Sequence, residues 1–215
     1  MRITVIVALN TELKAVKKGV SKAKPGKIRV VACGVGGERA FKAASKLAEK
    51  TDVLISAGYA GSISDLEVGD VLIASEIISE NCKLVRCSRE IVELMLKACL
   101  QAGVNFRVGR LITSNRLITN AKEVSWSRAL AVDMEAYSVA LAALKANKRF
   151  AAVKVVSDKT DIPLEVAEAL LEKRVSPKIL FPPTLFKTFK LGLNVLRASE
   201  SLTKVFHALT LLNQL

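Results

Sequence analysis

Histidine, aromatic residues and paired cysteines are scarce in this chain, and each scarcity removes a chemistry. One histidine, His207, occurs in 215 residues. A Ser–His–Asp or Cys–His device therefore has no base in the body of the chain. The four cysteines, Cys33, Cys82, Cys87 and Cys99, form no C-x-x-C pair. In a chain this long they read as reduced thiols of a cytosolic protein, and a zinc site built on histidine or paired cysteine lacks its ligands. No uncharged apolar run reaches the ~18 residues a membrane span needs. The apolar opening, Met1 to Ala8, is short and runs into Asn10-Thr11-Glu12 without a small-residue cleavage site. It reads as a first buried strand rather than a signal sequence.

What is present is aliphatic and basic. Hydrophobic residues make up 51% of the chain and aromatics 5%, which suits helices packed on a parallel sheet around one sizeable core. The net charge of +13 is unevenly spread: residues 1–50 carry +9, residues 173–215 carry +6, and the centre carries −2. An acidic partner would be met by the ends, and the plain alternative is a solvated lysine-rich surface. Neither end interleaves aromatics in the way a stacking surface for nucleic acid requires, so no specific nucleic-acid partner is expected.

Strand-like and helix-like segments alternate. Strands are expected at Arg2–Ala8, Ile28–Cys33, Asp52–Ser56, Val71–Ile78, Arg107–Thr113, Ala129–Val132 and Phe150–Val156, with helices at Thr11–Lys18, Glu38–Lys50, Glu90–Gln101 and Met134–Lys145. The alternation predicts a three-layer α/β domain, a central mostly parallel or mixed twisted sheet with helices on both faces. That domain is expected over 1–175, with 176–215 a helical extension of the same body. In the extension, Phe186, Phe189, Leu193 and Leu196 recur at helical spacing, as do Leu202, Phe206, Leu209 and Leu212, with Lys187, Lys190, Arg197 and Lys204 between them. This predicts one or two basic amphipathic helices, either docked on the core or a second copy, or lying on an anionic membrane surface.

With histidine and metal set aside, carboxylates at strand ends remain, where open parallel sheets bind their ligands. Glu12 follows the first expected strand, Gly58-Tyr59-Ala60-Gly61 the third, Asp133-Met134-Glu135 the sixth and Ser157-Asp158 the last. The Gly34-Val35-Gly36-Gly37 segment follows a strand and opens a helix, the setting of an anion-binding turn. It lacks the third glycine of a dinucleotide fingerprint and the Lys-Ser/Thr of a P-loop. Asp133 and Asp158 could instead cap helices, and Glu135 could serve the first turn of its own.

These residues resemble the nucleoside phosphorylase and nucleosidase superfamily. The matching stretches, in family order, are Ala8–Glu12, Cys33–Gly36, Ser56–Ser62, Val68–Val71, Val132–Ala136 and Val156–Asp158. Residues from Asp161 onward, with Arg110–Thr119, look like the hopanoid-associated branch, the adenosylhopane nucleosidases. The resemblance implies cleavage of the N-glycosidic bond of a purine (adenine) nucleoside, without cofactor or metal. Asp158 would neutralise N7 of the departing purine, and Glu12 would orient or deprotonate the attacking water. Glu135 would accept hydrogen bonds from the ribose hydroxyls as the sugar becomes cationic, and Met134 would pack its thioether on the sugar face. Asp133, Ser157, Leu117 and the Gly58-Tyr59-Ala60 backbone would complete the substrate site, with Gly34 and Gly36 as the turn facing the nucleophile.

Departures from the pattern bear on specificity. Tyr59 stands where the nucleosidases usually carry a small hydroxyl residue, Ser62 replaces a common glycine, Leu117 falls where an aromatic often stacks, and Lys154 stands near a usual arginine. The Ile77–Arg89 segment is short for a wall enclosing the 5′ substituent, and no arginine precedes Gly58 to hold phosphate. Hydrolysis is therefore favoured over phosphorolysis, with a bulky or lipid-linked 5′ group. The alternatives are a phosphate-dependent phosphorylase, a methylthioadenosine/S-adenosylhomocysteine nucleosidase, or a catalytically silent nucleoside-binding protein. A cytoplasmic setting and a homo-oligomer, a dimer by resemblance, are expected, with attachment at the membrane surface the alternative to a tail docked on the core; phosphate is the remaining candidate partner.

Overall fold

The computed structural model describes residues 1–159 and 182–212, with side chains described through 159 and from 192 onward. Eight strands are present: β1 (Ile3–Val7), β2 (Ile28–Ala32), β3 (Val53–Ser62), β4 (Val71–Ser79), β5 (Leu84–Arg86), β6 (Phe106–Thr113), β7 (Ala131–Asp133) and β8 (Arg149–Asp158). The helices are α1 (Asn10–Gly19), α2 (Gly37–Ala48), α3 (Arg89–Ala102), α4 (Ala136–Lys145) and α5 (Pro182–Leu212), with a 3₁₀ turn at Ala121–Ser127. The expected α/β architecture holds, with a mixed sheet. Strands β2, β1, β3 and β8 run parallel to their neighbours, as do β4, β6 and β7. The two sets join antiparallel, β3 to β7 and β4 to β8. Strands β3, β8, β4, β6 and β7 thereby close into a ring, and β1 and β2 extend the sheet from β3.

The apolar runs divide by parity, because successive strand side chains point to opposite faces. Ile3, Val5, Val7, Val53, Ile55, Val153 and Val155 pack against α1, α3 and α5. Ile6, Leu54, Leu72, Ala152 and Val156 pack against α2 and α4. Both faces are covered, which is why these strands read as unbroken hydrophobic segments. The alanines of α2 and α4 (Ala40, Ala44, Ala48, Ala136, Ala140 and Ala143) are fully buried in that second layer.

Two elements differ from the sequence expectation. The third strand, expected to end at Ser56, is longer: β3 continues through Gly58–Gly61 to Ser62, held by its ladder with β8, in which Gly58 pairs with Lys154 and Tyr59 with Val155. The short β5, antiparallel to β4, has one buried side chain, Val85, and so no apolar run to betray it. The expected helical tail is present: its described part is one helix, α5, beginning at Pro182, where a proline at the first position suits helix geometry. Its Leu202, Phe206 and Leu209 are fully buried between α1 and α3. That half of the apolar stripe belongs to the core, while Leu193 and Leu196 are exposed. Phe186 and Phe189 lie outside the described side chains. No helix among the described residues is long and apolar enough to cross a membrane.

Candidate functional site

Glu12 stands in the first turn of α1 and reaches back to the strand ends. Its Oε2 accepts from the Ala8 and Leu9 amides at 2.8 and 2.7 Å, and its Oε1 accepts from the Tyr59 amide of β3 at 2.7 Å. Gly58 makes this approach possible. Its φ is +140°, and a Cβ there would lie 2.4 Å from Glu12 Oε1, a conformation and a clearance that only glycine supplies. Burial pushes the Glu12 carboxyl above its ordinary value, against the opposing pull of Lys154 and the three amides.

Glu135, between β7 and α4, is buried and meets the glycine turn that follows β2. Its Oε1 accepts from the Gly36 amide at 2.9 Å. The turn, with Gly34 at φ +84° and Gly36 at φ +106°, thus presents its amide at the start of α2 to a carboxylate of the chain itself. Burial raises Glu135 to about 7; Asp133 adds to the rise, while Lys154 and the Gly36 amide oppose it.

The lysine in this field was not singled out as a site residue from the sequence. Lys154, on β8 opposite Gly58, is 2% exposed and pairs with Asp133 Oδ2 at 2.8 Å. Its burial alone would lower its proton affinity, but the charges of Asp133, Glu135 and Glu12 outweigh it, and the net shift is upward. A buried cation answering three carboxylates is a costly group made tolerable by its partners. The sequence signal available was a charged residue inside an otherwise apolar strand run, Val153-Lys154-Val155. Asp133 is fully engaged in holding this arrangement. Its Oδ1 accepts from the Thr113 hydroxyl at 2.6 Å, and its Oδ2 accepts from the Ala136 amide at 2.8 Å besides meeting Lys154.

Asp158 ends β8, half-buried, and accepts from the Ser157 hydroxyl at 2.8 Å. It pairs with Gly61 of β3, and Gly61 pairs on its other side with Val132 of β7. Asp158 and the Asp133-Met134-Glu135 segment therefore flank the end of β3. Met134 is half-buried; Ala60 is buried in the layer facing α2 and α4 and offers only its backbone. Leu117 is half-buried in the loop after β6, whose first residue, Ser114, donates to the Asp133 carbonyl at 2.8 Å. The structure thus brings Glu12, Gly58, Tyr59, Glu135, Asp133 and Gly36 into one linked constellation through Lys154, with Asp158 and Ser157 on the neighbouring strand end. Cys33 lies in the same field, but burial holds its thiol at about 11, so it is no nucleophile at neutral pH. Among the described residues no cluster of histidine, cysteine and acidic side chains could hold a metal.

The arrangement is a set of buried carboxylates around backbone amides, two of which, Glu12 and Glu135, are held above the ordinary carboxylate value by burial; this is the equipment of acid–base chemistry on an uncharged or cationic centre. Comparison with known proteins gives this a context. The family model described as phosphorylase superfamily matches residues 12–175. Among curated proteins, the 5′-methylthioadenosine/S-adenosylhomocysteine nucleosidases of Staphylococcus aureus are similar: that of strain bovine RF122 / ET3-1 is 26% identical over 147 residues and that of strain JH9 is 27% identical over the same length. These matches cover 58% of this chain but only 64% of the relatives' length, just under two thirds. Among solved structures, the nucleosidase of the same name from Neisseria meningitidis, in complex with methylthio-immucillin-A, superposes with a TM-score of 0.72 at 18% identity, covering 96% of this chain and 98% of its own. The futalosine hydrolase of Helicobacter pylori gives 0.77 at 15% identity, covering 100% and 98%. At such identities the structural likeness speaks to the fold.

Proposed function

The chain belongs to the phosphorylase superfamily, and on that premise we propose that it cleaves the N-glycosidic bond of a purine nucleoside, releasing adenine by hydrolysis. The observation that carries this reading is the seating of Glu12: one carboxylate oxygen is fixed by the Ala8 and Leu9 amides that follow β1, the other by the Tyr59 amide of β3, with Gly58 cleared to admit it. Glu12 is then the base that orients water, preorganised at no cost during the reaction. Glu135 accepts from the ribose hydroxyls. With a proton affinity near neutrality, it gains from ionising as positive charge grows on the sugar. Asp158 meets N7 of the leaving base, steadied by Ser157. Met134 packs against the sugar, Leu117 lies toward the base, and Lys154, locked to Asp133, keeps the carboxylates ionisable without touching substrate.

Water is favoured over phosphate by the same geometry. The Tyr59 amide, which could have served a phosphate oxygen, is taken by a carboxylate, and an incoming phosphate would face the Glu12 charge. The curated relatives named as nucleosidases support this direction. The finer reading is a lipid-linked 5′ substituent of the hopanoid type, delivered at an anionic membrane surface to a cytoplasmic homodimer. Its support is the exposure of Leu193 and Leu196 next to Arg197 on α5, an apolar and basic edge of the kind that lies at lipid headgroups. Incubation with 5′-substituted adenosines, with and without phosphate, tests the reaction class. Free ribose product in both conditions supports hydrolysis; a ribose 1-phosphate formed only with phosphate overturns it in favour of a phosphorylase.

A further inference from the structure

The C-terminal helix runs beside the helix that carries Glu12, in step with it. The Tyr59 hydroxyl lies 2.6 Å from Ser199 Oγ of α5 and also hydrogen-bonds Thr11, the neighbour of Glu12. One turn further along both helices, Thr203 Oγ1 lies 3.1 Å from the Ala15 carbonyl. Another turn on, Gly19 abuts α5 so closely that a Cβ would stand 2.6 Å from the Thr203 carbonyl oxygen and 2.9 Å from Phe206 Cβ. Three contacts spaced by helical turns make α5 a splint along α1, anchored in the core by Leu202, Phe206 and Leu209.

Tyr59 has two ends with different duties. Its amide holds Glu12 Oε1 at 2.7 Å, and its half-buried ring carries a hydroxyl fixed on α5. An aromatic side chain has only two torsions, so an anchor at its hydroxyl restrains its own backbone. Glu12 Oε2 is set by the Ala8 and Leu9 amides between β1 and α1, whereas the seat of Oε1 depends on where Tyr59 sits. We propose that Tyr59 and Ser199 are positioning residues for Glu12, so that α5, outside every motif of the site, takes part in setting the catalytic carboxylate. The inference rests on the reading of Glu12 as the base.

The test uses the full chain with Tyr59→Phe, Ser199→Ala and the double variant, beside Glu12→Gln. Both single variants are expected to lose about tenfold in kcat with KM within about twofold, as misplacement of a reacting group does. The acid limb of the kcat–pH profile should move to higher pH, because a loosened Tyr59 amide lowers the Glu12 carboxyl less. The double variant should be no worse than Tyr59→Phe alone, since that substitution already removes the contact with Ser199. Native-state hydrogen exchange supplies a readout that needs no substrate: the Tyr59 amide should exchange about tenfold faster in both singles, with the amides of Ile3–Val7 unchanged. Unshifted profiles, or unchanged protection at Tyr59, would overturn the positioning role even if the melting temperature falls. Wild-type activity in Glu12→Gln would instead overturn the reading of the site.

Discussion

A methyl group at Gly58 would occupy the space of Glu12 Oε1, 2.4 Å away, so strand and base cannot both keep their places in Gly58→Ala. The variant should lose at least ~100-fold in kcat, and about 2 kcal/mol in urea unfolding from the strained backbone and the displaced carboxylate. Glu135 makes a prediction of opposite sign for stability. Its folded value of about 7 lies above the ordinary 4.5, so the folded protein holds this proton more tightly than the unfolded chain does. Glu135 therefore weighs on stability increasingly as pH rises from about 4.5 to about 7, and fully above that. Glu135→Gln, which keeps an acceptor for the Gly36 amide, should be more stable than the wild type at about pH 8 by roughly 2 kcal/mol and nearly equal to it at about pH 5, while losing activity. Thermal melts at the two pH values check this. Glu12, Glu135 and Asp158 could be named from the sequence because carboxylates at strand ends stand out against apolar runs. Lys154 could not be placed, because a cation inside a buried strand acquires meaning only once Asp133 and Glu135 are seen beside it.

At the scale of elements, α5 is structural in one half and exposed in the other. Phe206 is fully buried among α1, α3 and the sheet, so Phe206→Ala should destabilise by about 3–5 kcal/mol in denaturant unfolding. The parallel strands were legible because burial on both faces gives continuous Val/Ile/Leu runs, and α1 to α3 because their apolar spacing and flanking glycines agree. What was not legible came from pairing. Nothing local says that β3 runs on past Gly58, since its ladder partner lies near residue 155, and β5 is three residues that depend on β4 for their hydrogen bonds. The antiparallel joints that close β3, β8, β4, β6 and β7 into a ring are equally invisible to local pattern.

At the scale of the molecule, the excess positive charge lies at the two ends of the sequence, and the described part of α5 packs along α1. Lys17 and Lys18 of α1 and Arg197 of α5 are all exposed. Flotation with anionic liposomes should therefore carry the protein up at low salt and lose it as ionic strength rises. Replacement of Leu193 and Leu196 by glutamate should weaken binding, and equal flotation of that variant would remove the membrane reading. The proposed activity stands on the carboxylate site. Its most direct test is adenine release, followed at equimolar enzyme from adenosine, 5′-methylthioadenosine, S-adenosylhomocysteine and a 5′-alkyl adenosine. The wild type should liberate adenine from at least one of them, and Glu12→Gln and Asp158→Asn, still folded, should be slower by about 10³-fold or more. Adenine from none of the four, or undiminished release by both variants, would contradict it.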